Sequence, residues 1–151
     1  MRRPTQPPAA ALHASPDDVE AQFYEAMQRG DLALMMAVWA DDDEIVCVHP
    51  GSGGRVVGPQ AVRDSFEAIF GNGGVPVQAE QIHRLETLAC AVHHLVERIA
   101  IDGPEGQQQA FVLATNVYLK TAHGWRLAAH HASPATPEEI QAASDAPSTL
   151  H

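Results

Sequence analysis

Residues 109–134, QAFVLATNVYLKTAHGWRLAAHHASP, restrict what this chain can become more than any other stretch. Side chains alternate on either side of Thr121–Gly124, the period-2 pattern of two strands folded into a hairpin. In the first strand Phe111, Leu113, Thr115, Val117 and Leu119 share one face, which reads as buried, and Val112, Ala114, Asn116 and Tyr118 share the other. The second strand divides into Trp125, Leu127, Ala129 and His131 against Arg126, Ala128, His130 and Ala132. A face on which Asn116, Tyr118, Arg126 and His130 stand among alanines has both room and hydrogen-bonding groups, as a ligand cavity requires. The alternative is an outer face that meets water or a second subunit.

The rest of the chain reads as what wraps this hairpin. Residues 1–14 are rich in Pro and Ala without periodicity and are expected to be a disordered leader. A helix over Pro16–Arg29 follows from Ser15 as N-cap, Pro16 at the first position, Asp17 and Asp18 in the first turn and the spacing Val19, Phe23, Met27, with Gly30 ending it. Asp31 caps a second helix whose stripe is Leu32, Met35, Met36 and Trp39. Residues 44–49 form a strand that delivers His49, held extended by Pro50, to the edge of the Gly51–Gly54 loop. A short strand at 55–57 precedes a third helix starting at Pro59, with Val62, Phe66, Ile69 and Phe70 on one side and GNGG at 71–74 as its stop. The run from Val77 to Ile101 holds no Gly or Pro and exceeds any ordinary strand, so a reversal is expected near Glu86–Ala89. Residues 102–106 form a loop, and a short helix capped by Thr136 follows the hairpin over Pro137–Ala143. The organisation expected is leader 1–14, one domain over 15–135, and a short helix with tail over 136–151.

Charge narrows the functional classes. The formal net charge is −10, with Lys120 as the single lysine, so there is no basic patch for nucleic acid or an anionic membrane. No apolar run approaches the ~20 residues that span a bilayer, and the expected location is cytoplasmic. Cys47 and Cys90 lie in apolar strand-like segments without metal-ligand spacing and read as buried free thiols. Asp41-Asp42-Asp43-Glu44 reads as a solvated turn, so neither a metal nor another cofactor is expected.

Helices first and a four-strand meander after them make an α+β domain: three N-terminal helices packed in a strongly curved, mostly antiparallel sheet forming a cone-shaped half-barrel. The segment GDLALMMAVWADDDEIVCVHPGSGGRVVGPQAVRDSFEAIF and the closing GWRLAAHHASP resemble the SnoaL-like branch of the nuclear transport factor 2-like superfamily. The last strand, a tryptophan followed by paired histidines and a serine, is also similar to the association domain of the calcium/calmodulin-dependent kinases. The resemblance covers residues 16–135. It implies a cone open at one end, a homodimer paired through the outer sheet face, and Asn116 and His130 facing inward. Its members include isomerases, dehydratases and cyclases, so fold alone chooses no chemistry.

Ketosteroid-isomerase-like members use a carboxylate base, yet Gly106–Pro137 holds no Asp or Glu. Glu97 and the 41–44 run remain, and spacing recommends neither. Acid/base work then falls to His130, with His49 as a second, and Tyr118 or Tyr24 as hydrogen-bond donor. The expected pocket is lined by Asn116, Tyr118, His130, His49, Tyr24 and Arg126, with Trp39 as core or pocket wall. Two readings stay open. One is a small-molecule-binding domain of undetermined activity with a partly apolar pocket; the other is an isomerase- or dehydratase-type enzyme using a histidine base on a small carbonyl compound.

Overall fold

The computed structural model describes residues 13–145; residues 1–12 of the expected leader and 146–151 of the expected tail lie outside them. The Ser15 side chain accepts the Asp18 N–H at 3.1 Å and opens α1 (Pro16–Arg29), which Gly30 closes at a φ of 63°. Asp31 Oδ1 accepts the Leu34 N–H at 3.0 Å and starts α2 (Leu32–Val38). Then come β1 (Val46–Val48), β2 (Val56–Val57), α3 (Pro59–Phe70), β3 (Val77–Glu86), β4 (Cys90–Gly103), β5 (Gly106–Thr121), β6 (Gly124–Ala135) and α4 (Pro137–Asp145). His13, assigned by sequence to the leader, is buried, and its carbonyl accepts the Trp125 N–H at 2.9 Å.

The strands form one sheet in the order β2-β1-β6-β5-β4-β3. All pairings are antiparallel except β1 with β6, which runs parallel. The sheet is curled and unclosed, the half-barrel expected from sequence. Two register shifts serve the curvature, one between Glu80 and His83, where Gln81 takes a φ of 52°, and one between Val117 and Tyr118. The inner face packs Ala91, Leu95, Val112, Ala114 and Leu127 against Val19, Phe23, Met35 and Phe66 of the helices. The loop after α3 crosses the end of α1 so closely that Gly74 has no room for a Cβ against the Gln28 carbonyl, and Val75 N–H donates to Met27 O at 2.7 Å.

In β5 the face expected to be buried throughout is only partly covered, while the face of Asn116 and Tyr118, expected to carry the cavity's polar groups, is the buried one. Val112, Ala114, Asn116 and Tyr118 are buried, whereas Leu113, Thr115 and Val117 are half-buried and Leu119 is exposed. The concave face carries the polar residues because each finds a partner there. In β6 the shift opposite Val117 breaks strict alternation: Trp125 and Leu127 point inward before it, His130 and Ala132 after it. Arg126 therefore does not share the face of His130, as an unbroken period of two would have it.

Candidate functional site

Two carboxylates sit inside the cone. Glu20 occupies the sheet-facing side of α1 between Val19 and Phe23, and Glu97 shares the inward parity of β4 with Leu95 and Ile99; they are 4% and 2% exposed. Glu20 Oε2 accepts from Tyr118 Oη at 2.6 Å, His93 Nδ1 at 2.9 Å and Asn116 Nδ2 at 3.4 Å. Asn116 Nδ2 also donates to Tyr24 Oη at 3.2 Å, and Tyr24 passes its own proton to Glu97 Oε2 at 2.8 Å. On its other side Asn116 Oδ1 accepts from His130 Nδ1 at 2.5 Å. Strand pairing sets this up, since Asn116 lies opposite both His93 and His130.

Burial governs the protonation of the chain's inner groups. It pushes the Glu97 carboxyl up to about 7, helped by the Glu20 charge and opposed by the Tyr24 hydrogen bond. It pushes His130 down to about 3, and the His49 and His131 charges act in the same direction. Although His130 Nε2 lies 3.8 Å from Glu97 Oε2, both groups are driven toward their neutral forms, so the contact is not an ion pair at neutral pH. Tyr24 and Tyr118 are held well above the usual phenol range, by burial first and the nearby carboxylates second.

Glu97 and His130 open onto a cavity of about 610 Å³. Met27, Ile69, Val75 and Ile99 supply apolar wall, His49 and Ser65 a polar flank, and Ser52 and Arg55 stand toward solvent. His49 arrives at the end of β1 as expected and packs edge-on against Phe66, with Nε2 2.9 Å from Ser65 Oγ. Burial lowers its pKa. Asn116, Tyr24 and Tyr118 stand behind Glu97 and His130 rather than along the cavity wall. Trp39 and Arg126 line a different hollow of about 600 Å³, next to the 41–44 acidic turn. The acidic turn thus lies away from Glu97, His130 and His49.

Glu20 escaped the sequence reading, and Glu97 entered it only as a remaining carboxylate that spacing did not recommend. The available signal was a charged residue at an apolar parity of β4, Ala91-x-His93-x-Leu95-x-Glu97-x-Ile99, and a glutamate on the core stripe of α1. Among the described residues, Asp17, Glu20 and His93 have metal-ligand spacing. Arg84 Nε already pairs with Asp17 Oδ1 at 2.8 Å, and Tyr118 and His93 already donate to Glu20, so the charges there are compensated. Cys47 and Cys90 are free thiols; Cys47 is buried, and burial pushes it up to about 12.

The family model of the SnoaL-like domain matches residues 17–137. Among solved structures, a Thiobacillus denitrificans protein described as a candidate calcium/calmodulin-dependent protein kinase type II association domain is 32% identical, with a TM-score of 0.72 over 89% of this chain and 100% of that one. A candidate dehydratase of the NTF2-like family from Streptomyces avermitilis is 31% identical, with a TM-score of 0.69 over 78% of this chain and 91% of that one. A ketosteroid isomerase-like protein from Erwinia carotovora atroseptica shares the fold at 17% identity, with a TM-score of 0.64 over 83% of this chain and 98% of that one. No curated protein matches the sequence. No helix of the described residues is long and apolar enough to cross a membrane.

Proposed function

This chain belongs to the SnoaL-like domain family, and from that premise we propose that its cavity binds a small, partly apolar carbonyl compound on which Glu97 performs proton transfer, in a dehydration or isomerisation. The observation that carries this reading is a carboxyl 2% exposed, opening onto a cavity and poised near neutrality by its own burial. A general acid–base group works best when its pKa lies near the working pH. Glu97 removes a proton from an acidic C–H, the electron pair passing toward the adjacent carbonyl. The proton then returns to another carbon, or to a departing hydroxyl that leaves as water. This reading prefers Glu97 to the histidine base named from sequence, because burial pushes His130 down to about 3 and it holds a proton weakly at neutral pH. The similarity to a candidate dehydratase at 31% identity supports the same class.

The test uses a panel of small cyclic β-hydroxyketones incubated in D₂O with the wild-type protein and with Glu97→Gln. Mass spectrometry follows deuterium uptake next to the carbonyl and loss of water. Exchange or dehydration that falls by about 10²-fold or more in the variant is the expected outcome, in line with loss of a positioned acid–base group. Ligands that bind without exchange in either protein would leave a binding domain and end the enzymatic reading.

The 32% match to a candidate association domain favours a second role, pairing with a second copy. The outer sheet face supports it: Val92 and Val117 are only half-buried and pair in register, Leu113 is half-buried further along β5, and Leu119 is exposed. Light scattering should give twice the chain mass, and a value equal to one chain would remove this role.

A further inference from the structure

Every polar hydrogen at the inner end of the cavity is already given to the protein. Tyr24 spends its hydroxyl proton on Glu97. The Asn116 amide can point only one way, because its NH₂ meets the Glu20 carboxylate and the Tyr24 oxygen, so its carbonyl must face His130. At 2.5 Å from that carbonyl, His130 Nδ1 must carry the ring proton. In the neutral ring this leaves Nε2, on the Glu97 side, as a bare lone pair. Ser65 repeats the device. Its single proton goes to Val62 O at 2.7 Å, so toward His49 it can only accept, and His49 spends its Nε2–H there. Ser52, nearer solvent, gives its hydroxyl proton to the His49 carbonyl at 2.9 Å.

We propose that the inner end of this cavity is built to accept hydrogen bonds, and that its ligand enters with a hydrogen-bond-donating head, a hydroxyl or ammonium group, directed at Glu97 and His130 Nε2. The inference rests on the ligand-binding reading above and deepens it. A ketone or carboxylate presented to the same end would set acceptor against acceptor, in a site where an unmade bond is costly. In a dehydration the head is the departing hydroxyl. The carbonyl then lies toward the mouth, where Arg55 is the cationic side chain of the lining and has no ion pair among the described residues. The one exception among the inner groups is Glu97 itself, which can donate while protonated. The titratable and charged groups around it are Tyr24 and Glu20 from α1, His130 from β6 and Cys47 from β1, with His49 and Arg55 lining the same cavity. The discrimination against acceptor heads therefore sharpens as pH rises through about 7.

Cyclohexanol, cyclohexylamine and cyclohexanone, similar in size and differing in the head group, test this by calorimetric titration one pH unit above and one below that value. At the higher pH the alcohol and the amine should bind at least about tenfold more tightly than the ketone, and the gap between alcohol and ketone should narrow at the lower pH. A ketone that binds as well as the alcohol at the higher pH overturns the inference and leaves the cavity reading intact. If none of the three binds, the cavity reading falls and takes the inference with it. The ¹⁵N ring signals of His130 in the unliganded protein provide a measurement independent of binding. A proton on Nδ1 is expected, and a proton on Nε2 overturns the inference whatever the titrations show.

Discussion

Glu97→Gln should make the protein more stable at pH 8 while abolishing the proton transfer proposed for this carboxyl. A carboxyl that binds its proton at about 7 when folded and at about 4.5 when unfolded is protonated preferentially in the folded state. Its contribution to stability is therefore fully present below the unfolded value. It is lost as pH rises through the window between the two, because the folded state then surrenders the extra proton. At about 1.4 kcal/mol per pH unit the loss amounts to about 3 kcal/mol by pH 8. Glutamine keeps a carbonyl for the Tyr24 hydroxyl and has no charge to bury. The variant should therefore show a flatter dependence of unfolding free energy on pH between 5 and 8, with the two proteins diverging most at the alkaline end. Urea titrations across that range measure it. Parallel curves would mean that Glu97 titrates normally, and the acid–base role would lose its physical basis.

Glu20→Ala should be the more damaging change at the other end of the network. One carboxylate oxygen serves Tyr118, His93 and Asn116, all of them buried. Alanine leaves three donors facing a small void. Breaking a buried charged cluster from one side costs about 3–5 kcal/mol, a large share of the stability of a domain this size. Two further effects are expected. With the Glu20 charge gone, one of the influences that raise Glu97 disappears, so the Glu97 midpoint should fall. Asn116, freed from the partner that can only accept, can turn its amide over, and the His130 ring proton then has a choice of nitrogens. Glu20→Gln should cost less than alanine, because an amide oxygen still accepts from Tyr118. Denaturant midpoints for the three proteins give the ranking, and carboxyl ¹³C titration gives the Glu97 midpoint. A Glu20→Ala protein as stable as wild type would show that the network is an ornament of the fold rather than a support of it.

The fold was legible where local chemistry decides structure. Ser15, Pro16 and Gly30 bound α1 over the residues expected from capping rules, and the reversal between β3 and β4 falls at 87–89, inside the interval chosen from strand length alone. His49 arrives on the cavity flank because Pro50 and the glycines after it end β1, again a local matter. What stayed hidden depends on tertiary partners. The apolar face of β5 could be recognised, but whether it points into the cone or away from it is fixed by Glu20 and Tyr24, which come from a helix about 90 residues earlier and neutralise the polar face. The shift in β6 moves Arg126 off the His130 face, and nothing in GWRLAAHH announces it. Glu97 was visible as a residue and invisible as a site, since a charged side chain in a strand is ordinarily a solvated one. Only the neighbouring strands make it an interior one.

The inner end and the mouth of the cavity come from different lengths of chain. Glu97, Asn116 and His130 belong to β4, β5 and β6, which pair continuously with one another, whereas His49, Ser52, Arg55 and Ser65 lie between the start of β1 and the middle of α3. The two groups meet across the cavity and through the short parallel β1–β6 ladder. Gly51 and Gly53 both adopt positive φ with open space where a side chain would stand, so the turn that carries the mouth is crowded by nothing. Ser52, Gly54 and Arg55 can therefore be exchanged or recoloured with new charge, Gly51 and Gly53 keeping their positive φ and Val56 its pairing with Cys47, while the buried network behind Glu97 and His130 stays as it is. A scaffold divided in this way can inherit its chemistry and renegotiate its clientele.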